Sequence, residues 1–284
     1  MKLGLIGAGR TAAVMGGFFH RKGFELVGYA SRTYASALEN ARITGSRAWE
    51  DPVALARACD ILLLSMADDA IADNARALAQ NGVHAKLCGM FSGALSSADL
   101  APLYKAGNTV FSLHPPYSFP DKSMDPARLD GITFTLEGAG QGMDRLRQSL
   151  QTAGIAYREI RPADKPRYHA AACACANYIV SLVKLAEDLL AGTDISPDIF
   201  APMAQAALEN AFMCGPQAAL TGPIVRGDAD TLRRQLAAMP AGKTKDIYTA
   251  LGRYTADWAL TDRQIQDNVK EALGNETGDK TDIC

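Results

Sequence analysis

Short apolar runs recur along the first half of the chain, one helix-length apart. Residues 3–6, 26–30, 61–65, 86–90, 109–113 and 132–136 each read as a strand, with a weaker one at 47–49 and a last at 156–160. Their interiors are apolar almost throughout, which is the pattern of strands covered on both faces. Segments with apolar positions at helical spacing lie between them, as at 51–58 and 70–80. This alternation predicts an α/β unit, a doubly wound and mostly parallel sheet with helices on both faces.

Near residue 160 the rhythm breaks. "RPADKPRYH" holds two prolines and four charged residues, and every periodic segment after it is helical. Residues 168–191 form a long Ala-rich stretch without Gly or Pro. Ser196-Pro197 then marks another helix start, with Ser as N-cap and Pro at the first position. Residues 202–214, 228–238 and 244–259 continue the pattern. The expected organisation is a sheet domain over 1–160, an all-helical C-terminal domain over 161–275, and a polar tail over 276–284.

Composition narrows the class. The 284 residues are 48% hydrophobic and 21% charged, with a net charge of −2, a balance that speaks for a sizeable core and against nucleic acid as a partner. None of the six cysteines forms a CxxC pair, and Cys173-Ala-Cys175 is too tightly spaced for a zinc knuckle. No metal site is expected, and the thiols read as reduced, as in the cytoplasm. Lys2 is followed by four apolar residues, far short of a signal peptide. No stretch approaches the ~20 uninterrupted apolar residues of a membrane span.

Gly7-Ala8-Gly9-Arg10-Thr11-Ala12 is a G-x-G-x-x-A pattern that closes a strand and opens a helix, the context of a Rossmann-type dinucleotide site. Gly7 permits the tight turn, Gly9 lets a pyrophosphate approach the backbone, and Ala12 allows close helix–strand packing. The helix start supplies free N–H groups and a partial positive charge. An acidic residue is absent from the end of the second strand, where Ser31, Arg32 and Thr33 stand instead. Hydroxyls and a guanidinium suit a 2′-phosphate, so NADP(H) is expected over NAD(H). Ser65, Met66 and Ala67 would lie at the carboxyl edge of the sheet, with Asp68 or Asp69 capping the next helix.

Two of the four histidines draw attention. His114 follows the strand "TVFSL" and precedes Pro115-Pro116, so it is either a crevice residue or a loop histidine bonded to backbone. His169, Cys173 and Asn177 recur at i, i+4 and i+8, a stripe spanning about 80° of one helix. A His and an Asn on an Ala-rich helix are costly unless hydrogen-bonded or facing a cleft. Lys165 sits at that helix's start, where the dipole disfavours a cation. The turn in "LTGPIVRGD", residues 220–228, reads as a rigid connector, with Arg226 and Asp228 placed for a local ion pair.

On these residues the chain resembles the Rossmann-like proteins with a DUF2520 domain, relatives of pyrroline-5-carboxylate reductase, ketopantoate reductase and the 3-hydroxyacid dehydrogenases. The carriers are Gly7-Ala8-Gly9-Arg10, "DDAI" at 68–71, Ser92-Gly93-Ala94, "LHPPYSF" at 113–119, "DKPRYHAAACACAN" at 164–177 and "TGPIVRGD" at 221–228. The resemblance implies a Rossmann domain followed by a helical domain that pairs with a second copy, and NADP(H) as cofactor. It implies further that residues on the first helix of the second domain lie near the nicotinamide, which lands on His169 and Asn177, with Lys165 beside them. The chain departs from the family pattern at Ala12, in place of a third glycine, and at Met66-Ala67, where many relatives carry a proline.

The expected activity is hydride transfer to or from a small carbonyl or imine that carries a carboxylate. In that reading His169 donates the proton, because its ordinary pKa lies near operating pH. Asn177 orients the substrate, Lys165 neutralises its carboxylate, and Ser92 and His114 line the pocket. An imine reductase of the pyrroline-5-carboxylate type is the sharper alternative. A sensor that binds NADPH without turnover is the alternative from another class.

Overall fold

The computed structural model describes residues 1–274. The expected tail at 276–284 lies outside the described residues. Two compact units divide the chain, Met1–Asn177 and Tyr178–Cys284.

The first unit is built on one eight-stranded sheet. Its strands are β1 (Lys2–Ile6), β2 (Glu25–Ala30), β3 (Arg47–Trp49), β4 (Ile61–Leu64), β5 (Leu87–Met90), β6 (Thr109–His114), β7 (Phe134–Ala139) and β8 (Tyr157–Glu159). Every expected strand is present. The spatial order is β3-β2-β1-β4-β5-β6-β7-β8. All neighbours pair in parallel except β6 and β7, which are antiparallel. The order reverses between β1 and β4, which opens a crevice beyond their carboxyl ends.

Alternation along each strand divides the core in two. Leu3, Leu5, Leu63, Phe111, Leu113 and Phe134 pack on one face with Phe18 and Phe19, while Ile6, Leu62, Leu64, Cys88 and Val110 pack on the other with Leu55 and Ile71. A fully buried Leu of this kind contributes about 1.5–3 kcal/mol. The helices of this unit are α1 (Arg10–Arg21), α2 (Tyr34–Thr44), α3 (Pro52–Ala58), α4 (Asp68–Gln80), α5 (Ala101–Lys105), α6 (Met143–Thr152) and α7 (Lys165–Cys175). Neither Asp68 nor Asp69 caps α4 as expected. Ala67 holds the cap position, and both acids sit in the first turn, where they favour the helix dipole.

The helix expected over 168–191 is interrupted. Ala176 adopts φ −127° and ψ −71°, so α7 ends at Cys175 and α8 (Asn177–Leu189) starts afresh. Helix α7 also begins earlier than the apolar pattern suggested, at Lys165, whose side chain is buried against the sheet. The compact unit that holds the sheet runs on to Asn177 and so includes α7.

The second unit is helical, with α9 (Ala201–Cys214), α10 (Pro216–Ala219), α11 (Ala229–Ala238), α12 (Lys243–Ala259) and α13 (Arg263–Ala272) following α8. Leu232, Leu236, Ala256, Val269, Ala272 and Leu273 form its core. Pro197 opens a 3-10 turn before α9, and Ser196 makes no side-chain cap bond there. Asp228 caps α11 by accepting from the Thr231 N–H at 3.0 Å, and that bond, with the Arg226 charge nearby, holds its carboxyl below the usual carboxylate range. Helices α8 and α9 bury none of their residues. Among the described residues one helical run, Pro162–Leu189, is long and apolar enough to cross a membrane by length and composition, which the uninterrupted-run criterion passed over. The buried Lys165 and the break at Ala176 both lie within that run.

Candidate active site

The turn after β1 separates two roles of glycine. Gly7 has φ +105°, and a Cβ on it would stand 2.0 Å from the Ser65 carbonyl oxygen. The backbone itself demands glycine there. Gly9 has φ −77°, and an added Cβ would meet nothing within 4 Å. Nothing in the protein's own packing requires glycine at 9. The position opens on a cleft of about 1390 Å³. Gly9 is also the N-cap of α1 and offers no side-chain acceptor, so the first-turn amides await one from outside.

The cleft brings together nearly all the expected cofactor residues. Gly7, Gly9, Arg10, Thr11, Ser31, Arg32, Thr33, Ser65, Met66, Ala67 and Ser92 line it. Ala12 does not; it is fully buried in the core beneath α1, which is the packing role its size suits. Arg10 donates to the Pro120 carbonyl at 3.0 Å. Thr33 and Ser36 share a hydroxyl–hydroxyl bond of 2.8 Å. The tip of β2 carries no acid, the one acid of that strand being Glu25 at its start. An uncapped helix start, an open Gly9 and a guanidinium with two hydroxyls at the tip of β2 are the donor set of a phosphorylated dinucleotide, and the residues present fit NADP(H).

Beside this cleft two imidazoles face each other across Gly93. His114 ends β6 and His169 comes from α7, their ring centroids 6.3 Å apart and their planes at 86°. A Cβ on Gly93 would lie 2.7 Å from His169 Nδ1 and 2.9 Å from His114 Nε2. His114 Nδ1 is 2.7 Å from the Tyr168 hydroxyl. Burial pushes the His114 pKa down to about 4, with Lys165 and His169 pushing the same way, so its ring is neutral at neutral pH. Burial also raises the Tyr168 phenol. His169 Nδ1 is buried without a hydrogen-bond partner, while Nε2 lies 3.8 Å from Cys173 Sγ, the contact expected at i+4. A second cavity, of about 570 Å³, is lined by His114, His169, Cys173 and Asn177, together with Tyr117 and Arg128.

Lys165, expected at this cavity, lines neither. It is 1% exposed, and its Nζ donates to the Ser92 carbonyl at 3.0 Å and to Ser112 Oγ at 2.6 Å. Ser112 Oγ in turn donates to the Ser92 carbonyl at 2.9 Å. Glu137 Oε1 is 3.9 Å from the ammonium, and both side chains are buried. The Glu137 carboxylate accepts from Ser97 N and Ser97 Oγ, each at 2.7 Å. Ser112 and Glu137 are direct partners across the antiparallel β6–β7 pair, which is how they reach the same ammonium. Burial lowers the Lys165 pKa, against an opposing pull from Glu137. Sequence reasoning missed Tyr168, Ser112, Glu137 and Arg128. The signal available was Glu137 itself, an acid inside the otherwise uncharged strand "FTLEGA".

A profile for a Rossmann-like domain matches residues 1–115, and one for DUF2520, a domain of unknown function, matches residues 132–255. The chain is a Rossmann-like, DUF2520-domain protein. In this DUF2520 protein His114 falls within the first match, and Glu137, Lys165, His169 and Asn177 fall within the second. No curated protein matches its sequence. Among solved structures, a protein from Bacteroides fragilis described as a candidate NADP oxidoreductase is similar with a TM-score of 0.70 at 20% identity, over 95% of this chain and 98% of that one. A protein from Thermotoga maritima gives 0.69 at 23% identity, over 93% and 99%. A reductive aminase from Aspergillus terreus, solved with NADPH and ethyl-5-oxohexanoate, gives 0.66 at 15% identity, over 95% and 98%. The DUF2520 protein thus shares its fold with these structures along nearly its whole length.

Proposed function

We propose that the DUF2520 protein is an NADP(H)-dependent oxidoreductase of a small carbonyl or imine that bears a carboxylate. The observation that carries this reading is Gly9, a glycine with no internal reason to be one, set at an uncapped helix start over a large cleft. The α1 first-turn amides would hold the pyrophosphate, and Arg32 with Ser31 and Thr33 the 2′-phosphate. When bound, the nicotinamide supplies or accepts a hydride.

The chain's own residues handle the proton and the substrate. His169 Nε2, in contact with the Cys173 thiol, carries the proton to or from the substrate heteroatom. His114, neutral and bonded to Tyr168, walls the cavity. Asn177 orients the substrate from the start of α8. Support for a carboxylate comes from Arg128, which lines a cavity whose lining residues include no acid. Support for a carbonyl or imine comes from the likeness to the Aspergillus reductive aminase.

A second copy of the chain belongs to the same reading. Val180, Met203, Phe212 and Met213 on α8 and α9 are 70%, 65%, 76% and 84% exposed. Covering such faces is worth about 25 cal/mol per Å² of apolar area. Sedimentation should give a dimer; a monomer that partitions onto lipid vesicles would overturn this part.

The deciding experiment titrates the protein with NADPH by calorimetry and then follows loss of reduced-nicotinamide absorbance with a panel of 2-oxo acids and cyclic imines. Binding followed by oxidation on at least one substrate is expected, with turnover lost in His169→Ala. Binding with no oxidation on any of them makes the protein a nucleotide sensor, and no binding at millimolar NADPH removes the reading altogether.

A further inference from the structure

Among the described residues Lys165 is the one buried cation, and the proposed chemistry leaves it unused. It is the first residue of α7, and His169 stands one turn further along the same helix. Its three polar neighbours come from three other segments: Ser92 follows β5, Ser112 is in β6 and Glu137 in β7. Ser92 lines the large cleft, and the next residue, Gly93, is the floor on which both imidazoles rest. One ammonium therefore ties together the helix that carries His169, the strand that carries His114, and the turn between the two rings.

We propose that Lys165 is a positioning residue that clamps the start of α7 to the Ser92 carbonyl and Ser112, fixing His169 opposite His114 across Gly93 without touching substrate. The proposal rests on the oxidoreductase reading for its kinetic consequence but not for its structural one. Its alternative, an ammonium that meets a substrate carboxylate, conflicts with a side chain that lines neither cavity.

The clamp also sets the electrostatics of the pair. His114 is faced by Lys165, Tyr168 and His169 from α7 and shares its cavity with Arg128. Glu137, Asp68 and Asp99 act on Lys165 in turn. Removing the ammonium removes a charge that opposes protonation of His114, so that ring must become easier to protonate.

The test compares the full-length wild type with Lys165→Arg, Lys165→Met and the double variant Lys165→Met/Glu137→Gln. The double variant leaves no uncompensated buried charge, which keeps the test open if the single variant does not fold. NADPH affinity is read by calorimetry, kcat and KM by absorbance, and the His114 titration by NMR. In the folded double variant, kcat should fall about tenfold or more while NADPH affinity and KM hold within about threefold, because the loss is one of alignment. The His114 midpoint should rise from about 4 by about half a pH unit or more. Lys165→Arg, which keeps the charge, should recover part of kcat and most of the titration shift. Unchanged kcat with an unchanged His114 titration overturns the proposal. A KM increase confined to carboxylate substrates, with His114 unmoved, also overturns it and makes Lys165 a substrate contact. If the wild type oxidises NADPH on none of the tested substrates, the oxidoreductase reading fails, and the His114 titration still decides the clamp.

Discussion

The Tyr168 hydroxyl and His114 Nδ1 lie 2.7 Å apart and join α7 to the end of β6. With His114 titrating near 4, the ring is neutral and shares one hydrogen bond with the phenol through Nδ1, while Nε2 faces Gly93. In the unfolded chain the same imidazole binds its proton near 6.5. Between these values the unfolded state holds more protons, so stability is full above 6.5, is lost as the pH falls toward 4, and changes no further below that. The loss is on the order of 3 kcal/mol. Melting temperatures taken across this range should show the slope in the wild type and a much flatter one in His114→Gln.

Gly93→Ala should damage the site without touching the cofactor cleft. The new methyl would sit inside contact distance of both imidazoles, so at least one ring must move. Turnover should fall by about a hundredfold, the effect of an ångström-scale misplacement. NADPH affinity, measured by calorimetry, should stay near the wild-type value.

The two glycines of the first turn should separate binding from folding. Gly9→Val adds a side chain into open space, so the melting temperature should hold while NADPH affinity falls at least tenfold. Gly7→Ala forces a Cβ onto the Ser65 carbonyl at positive φ, and a large loss of stability is expected, roughly 3 kcal/mol or more. Parallel denaturant melts and NADPH titrations of the two variants check both statements.

Arg32→Ala should weaken NADPH while sparing NADH. A charged hydrogen-bond partner of the 2′-phosphate contributes about 1.5–3 kcal/mol, or roughly tenfold to a hundredfold in affinity. Equal losses for both coenzymes would place the guanidinium elsewhere than on the 2′-phosphate.

The central strands were legible because they are apolar on both faces, while β3 at Arg47–Trp49, with Arg47 exposed, gave only the weaker signal. Most of the residues that line the large cleft were legible as neighbours for a related reason: a β-α turn places its residues at one edge, so adjacency in sequence becomes adjacency in space. Where the reading failed, distant partners decide the outcome. Lys165 read as a surface or cleft cation, and only Ser92, Ser112 and Glu137, brought in by three other segments, make it a buried one. The break at Ala176 has no Gly or Pro to announce it. Asp68 read as a helix cap, yet its carboxylate accepts from Ser92 Oγ at 3.0 Å, a partner that lies beyond the next strand.

The antiparallel course of β7 has a consequence for folding fidelity. Sliding β7 by one residue along β6 would turn Glu137 to the opposite side of the sheet. The ammonium beneath α7 would then lose its buried counter-ion, at a penalty of several kcal/mol. Misaligned pairings of these two strands are therefore rejected by charge as well as by shape, and a lysine and a glutamate far apart in the chain serve as a proofreading mark for the sheet.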